Sequence, residues 1–130
     1  MKDEILEEHM KEEPYQDLRI RTKKFALAII GLYGTLPNTT VAQVLGKQVL
    51  RSGTSVGSHY REAKRAKSDA DFISKMEGAL QELDETEYWL ELLLESMTVS
   101  QSMIQPLVKE TNELIAIFVT IVKNLKTRRK

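Results

Sequence analysis

The chain has no cysteine, which closes off disulfide frameworks, thiol nucleophiles and thiolate metal sites. It has two histidines, His9 and His59, and neither has a glutamate three residues before it. The Glu-x-x-His pairs with which helical bundles hold two iron ions are therefore missing. No Gly-rich phosphate loop occurs, nor any Ser/His/Asp grouping at a recognisable spacing. Three prolines and six glycines in 130 residues are too little punctuation for many short strands. No apolar run approaches the roughly 20 residues of a membrane span. The opening MKDEILEEHMKEE is acidic and lacks an apolar core, so it is not expected to be a secretory signal, and a cytoplasmic location is expected. No catalytic residue, metal ligand or cofactor is expected, and an enzyme would need a pocket that nothing here announces.

What is present is helical periodicity. Leu18, Thr22, Phe25, Ile29, Leu32 and Leu36 recur at alternating steps of four and three, with Asp17 as N-cap and Ala26, Leu27 and Ile30 widening the apolar face. Leu36-Pro37-Asn38-Thr39 reads as a turn. A second helix is expected from Thr40, with Gln43 completing a capping box and Val41, Leu45, Val49, Ser52, Val56, Tyr60 or His59, and Ala63 inward. Gly53 and Gly57 lie four apart on it. Each costs about 1 kcal/mol relative to alanine, so a helix passing close by is expected to offset them, unless they mark a kink. A third helix starts at Ser68 with Asp71 as its capping acid, and a fourth between Ser100 and Ser102, with Ser102 and Gln105 as a capping box and Pro106 about the first turn. Short turns between four amphipathic helices imply an all-α, antiparallel up-down-up-down four-helix bundle over residues 17–126. Residues 1–16 form an acidic N-terminal arm and 127–130 a basic tail.

Beyond Glu87 the third helix is apolar nearly all round: Tyr88, Trp89, Leu90, Leu92, Leu93 and Leu94 follow almost without a break. One intramolecular face cannot hide all of them, so Tyr88, Trp89 and Leu92 are expected to hold subunits of a homo-oligomer together.

The formal net charge is zero, 19 basic residues against 19 acidic, but the charges are sorted. In the expected topology the start of the first helix, the end of the second, the start of the third and the end of the fourth share one pole. Arg19, Arg21, Lys23, Lys24, Arg61, Lys64, Arg65 and Lys67 gather there, joined by Lys75, Lys123, Lys126 and the C-terminal basic run. Cations ending the second and fourth helices complement the helix dipole; those opening the first do not, which favours a binding role over mere solvation. A concentrated basic pole attracts phosphate, and oligomerisation would multiply it.

Three stretches carry a family resemblance: the small-residue run RSGTSVGSHYREA (Arg51 to Ala63), the turn Lys67-Ser68-Asp69, and ADFISKMEGALQELDETEYWLELL after it. With Asp17-Leu18 opening the first helix, they resemble the 23S rRNA intervening-sequence proteins, also called four helix bundle proteins, over about residues 17–126. The resemblance implies a bundle assembling as a homopentamer, with no known enzymatic member. It also implies a relation to the accessory variability determinants of diversity-generating retroelements, which bind a reverse transcriptase and nucleic acid through basic surfaces. The resulting expectation is a non-enzymatic, homo-oligomeric protein of five subunits. Its basic pole binds structured RNA or DNA, through Arg61, Lys64, Arg65 and Lys67 helped by Arg19, Arg21, Lys23 and Lys24, and a reverse transcriptase is a candidate partner. The alternative is a protein-only adaptor or assembly module whose charged pole merely keeps it soluble. No membrane association is expected.

Overall fold

The computed structural model of the chain describes residues 17–129; the acidic arm of residues 1–16, the Arg129 side chain and Lys130 lie outside the described residues. Four helices follow in order: α1 (Leu18–Thr35), α2 (Thr40–Lys64), α3 (Asp69–Glu95) and α4 (Gln101–Arg129). Each packs chiefly on its neighbour in the chain, α1 on α2, α2 on α3 and α3 on α4, which makes an all-α up-down-up-down bundle.

The helix starts follow from local chemistry. The Asp17 carboxylate accepts from the Arg19 N–H, and the Ser68 hydroxyl from the Asp71 N–H, each satisfying a donor that a helix start leaves unpaired. Asp71 reaches back to the Lys67 N–H, closing the box one residue earlier than in the standard pattern. At α2 the cap is Thr39 rather than Thr40: its hydroxyl accepts from the Ala42 N–H, while the Gln43 side chain donates to the Pro37 carbonyl and accepts from the Tyr33 hydroxyl. Pro106 falls inside α4, five residues after Gln101, instead of in its first turn.

The core is continuous from Leu18, Phe25 and Ile29 through Val56, Tyr60, Phe72, Met76 and Leu83 to Leu90, Leu93, Leu114, Phe118 and Ile121. α1 passes close to both Gly53 and Gly57. A Cβ at Gly53 would stand 2.8 Å from Ile29 Cγ1, and one at Gly57 3.1 Å from the Thr22 hydroxyl. Close passage, not a kink, accounts for both. The start of α2 departs from the expected register. Ala42 and Gly46 face inward in place of Val41, with the side chains of Leu36 and Tyr33 packed directly over Gly46. Likewise Leu27 and Ile30 do not widen the core face of α1; they stand about half exposed on its outside, with Ile20.

The last turns of α3 bury more than their sequence suggests. Leu90 and Leu93 are fully enclosed, and Trp89 and Leu94 lean on the core, while Tyr88 projects outward and is 54% exposed. Met97, at a left-handed φ of 60°, then turns the chain toward α4: the Thr98 N–H reaches the Leu93 carbonyl and the Met97 N–H that of Leu94. This is a Schellman closure without its usual glycine.

Candidate nucleic-acid interface

The small residues that let α1 and α2 approach also leave space beside their seam. Thr22 and Ala26 of α1, with Thr54, Gly57 and Ser58 of α2, are too short to fill the gap between the two helices, and an open groove of about 750 Å³ results. Tyr60 contributes to its floor. Along the walls stand Arg19 and Lys23 from α1 and Arg61, Lys64 and Arg65 from α2. One carboxylate lines the groove, Glu62, and it lies 3.5 Å from Nδ1 of His59. Among the described residues the side chains of Arg19, Lys23, Arg61 and Arg65 enter no ion pair. Like charges crowded along one groove make a local positive potential that a polyanion can relieve.

The eight cations expected at this pole divide. Arg19, Lys23, Arg61, Lys64 and Arg65 come together along the groove, whereas Lys24 and Lys67 are exposed but outside its lining. Arg21 turns the opposite way. Its guanidinium is buried against α4, with Nε 2.8 Å and Nη2 2.7 Å from the two oxygens of Glu110, and Nη2 2.9 Å from Glu113. A bidentate, charge-assisted clamp of this kind joins helices rather than offering a charge to a ligand. Arg21 follows Leu18 by three residues and precedes Phe25 by four, which puts it on the core-facing side of α1.

Tyr60 is fully buried and its hydroxyl has no hydrogen-bond partner among the described residues. Desolvation, with a smaller contribution from the charge of Asp17, pushes that hydroxyl well above the usual tyrosine range. The floor of the groove, Thr22, Ala26, Thr54, Gly57, Ser58 and Tyr60, had no place among the expected site residues. Its one sequence signal was the run of small residues from Ser52 to Ser58.

A second surface is apolar. Arg51 of α2 pairs with Glu82 and Glu85 of α3. On α3, Tyr88 is 54% exposed and its ring meets that of Trp89 at 5.1 Å and 57°, while Trp89 and Leu92 are partly buried. On α2, Val44 is 55% exposed. The indole N–H of Trp89 is buried without an acceptor among the described residues.

Among the described residues no group of three or more histidine, aspartate or glutamate side chains could hold a metal ion, and no helix is long and apolar enough to cross a membrane. What fold and surface define is a small four-helix bundle with a cationic groove and exposed apolar side chains. The sequence profile of the family described as "23S rRNA-intervening sequence protein" matches residues 16–120, and the chain belongs to that family. A solved structure is similar throughout: a protein of unknown function from the S23 ribosomal protein family of Bacteroides thetaiotaomicron VPI-5482. It shares 39% identity over 82% of this chain and 99% of its own, with a TM-score of 0.78. No curated protein matches the chain.

Proposed function

We propose that this protein is a non-enzymatic, homo-oligomeric nucleic-acid binder that holds a phosphate backbone along the α1–α2 groove. One observation carries the reading: five cations, Arg19, Lys23, Arg61, Lys64 and Arg65, line a single open groove beside one carboxylate. Lys24 and Lys67 extend the positive field at its rim; Arg21 is left out of the binding set because Glu110 and Glu113 already hold it. Small hydroxylated residues on the floor allow close approach and do not select a base, so recognition runs through backbone and shape. The family's description ties its members to sequences that interrupt 23S rRNA, which makes structured RNA the first ligand to try.

Assembly is supported by the apolar surfaces. Tyr88 on α3 and Val44 on α2 stand about half exposed, as do Ile20, Leu27 and Ile30 on α1. A closed ring joins two different patches head to tail, and the resemblance implies five subunits. A reverse transcriptase as partner rests on the resemblance alone.

The direct test replaces Lys23, Arg61, Lys64 and Arg65 together by alanine and measures binding of a labelled RNA duplex. Affinity is expected to fall at least a hundred-fold while helix content is retained. Undiminished binding would move the site elsewhere, and absence of binding by the unaltered protein at low salt would favour a protein-only adaptor.

A further inference from the structure

His59 stands between two carboxylates where α2 meets α3. Its Nδ1 lies 3.5 Å from Oε1 of Glu62, three residues further along α2, and its Nε2 3.7 Å from Oε2 of Glu82 on α3. Glu82 is fixed through its other oxygen by Arg51, which also holds Glu85. α3 passes close over the ring at Gly78, where a Cβ would stand 3.2 Å from Nδ1 and Cε1. Among the described residues, Glu62 and Glu82 are the carboxylates that pair with the ring, and α1 and α4 contribute none.

Both contacts are unfinished. Nδ1 is buried with no hydrogen-bond partner among the described residues, and each carboxylate stands just beyond the reach of an N–H···O bond. A neutral imidazole has one N–H and can donate to one carboxylate only, whereas the imidazolium donates to both. The two acids differ in freedom. Glu82, its side chain 15% exposed and tied to Arg51, stays where it is, while the Glu62 side chain is 47% exposed and needs only a small rotation to close on Nδ1. Glu62 is also the one carboxylate in the lining of the cationic groove. A proton on His59 therefore withdraws the groove's own negative charge and adds a positive one behind it.

We propose that His59 is a proton-operated control on the groove: protonated, it pairs with Glu62 and takes that carboxylate out of the way of phosphate; neutral, it leaves Glu62 to repel it. The proposal rests on reading the groove as the phosphate site. Histidine is the side chain that changes charge between about pH 5 and 8, so the control works in the ordinary range of cells. Linkage makes it reciprocal: bound phosphate favours the protonated ring by the factor with which the protonated ring favours phosphate.

Two readouts test it separately from the groove reading. The full-length chain carrying His9→Gln keeps His59 as its sole histidine. At constant low ionic strength it is expected to bind an RNA duplex about five-fold more tightly at about pH 6 than at about pH 8, the low end for coupled sites because Glu62 is partly hydrated. Adding His59→Gln should remove most of that difference. Glu62→Gln should bind at the higher pH nearly as well as the parent does at the lower, and change little between them. Equal affinity at both values in the parent, or an undiminished difference in His59→Gln, would overturn the proposal while leaving the groove reading intact; no binding at either value would overturn both. The second readout needs no nucleic acid. The side-chain carboxyl carbon resonance of Glu62 is expected to move together with the His59 ring signals as pH is lowered over this range, and to stay still in His59→Gln. A Glu62 resonance that ignores the ring would overturn the proposal whether or not RNA binds.

Discussion

Two arginines two residues apart on α1 do different work. Arg19 lines the groove, whereas Arg21 clamps Glu110 and Glu113 across the bundle with its side chain 9% exposed. Replacing Arg21 by alanine strands two carboxylates that are themselves partly hydrated, so the cost is expected to be about 1–2 kcal/mol, below that of a fully buried pair. Thermal unfolding should show it as a drop of several degrees, with RNA affinity unchanged; Lys23→Ala should do the reverse. Tyr60 supplies a second case. Its hydroxyl is enclosed without a partner among the described residues, so Tyr60→Phe should be neutral or slightly stabilising at pH 7. Its pKa is raised by folding, so its neutral form favours the native state below the ordinary tyrosine value of about 10, and that advantage is lost as pH rises above it. Denaturant titrations should find stability falling by about 1 kcal/mol between pH 10 and 11 in the parent and less in Tyr60→Phe. An equal loss in both would place the effect on other groups. Neither role was legible beforehand. Arg21 reads as one more cation until the positions of Glu110 and Glu113, some 90 residues away, are known, and nothing near Tyr60 in the chain shows that its hydroxyl goes unpaired.

At the scale of the helix, the glycines divide by what surrounds them. Gly53→Ala would drive a Cβ against the branched carbons of Ile29, and the strain should exceed the propensity gain, with a net loss of about 1–3 kcal/mol. Gly31 and Gly34 have nothing within 4 Å of where a Cβ would stand, so alanine at each should stabilise by up to about 1 kcal/mol. Urea unfolding of the three variants checks both signs at once. Much of this level was written in the chain. Asp17 and Ser68 announce their helices by capping chemistry that acts within three residues, and the four-three spacing from Leu18 to Leu32 fixes the inner face of α1. Gly53 and Gly57 announce close packing because nothing else offsets their cost. The register at the start of α2 was not written there: Val41 is the better hydrophobe, but Tyr33 of the preceding helix and Leu36 just after it pack over Gly46, and Gly46 and Ala42 go inside. Leu27 and Ile30 mislead for a related reason. α1 buries a narrow stripe, and residues flanking it read as core although no helix covers them. The groove floor stayed hidden because it is a property of two small-residue rows brought into line, each unremarkable alone.

Across the whole molecule, neutrality is the sum of separated parts: an acidic segment, a cationic groove and carboxylate-rich outer turns of α3. Self-association belongs to this scale. Tyr88 is half exposed in the single chain, so Tyr88→Glu should leave the fold intact yet split the assembly; sedimentation equilibrium should then return one subunit mass near 14.9 kDa. An unchanged mass would remove Tyr88 from the interface. The fold and the family were readable from spacing and motif, whereas subunit arrangement depends on which exposed apolar faces meet, which one chain does not specify. The central claim is that the groove holds phosphate, and it is tested most directly by the salt dependence of RNA binding to the full-length protein. With four or five cations engaged, log affinity should fall linearly with log salt with a slope of about −3 or steeper. A slope near zero, or no binding at the lowest salt, would contradict it.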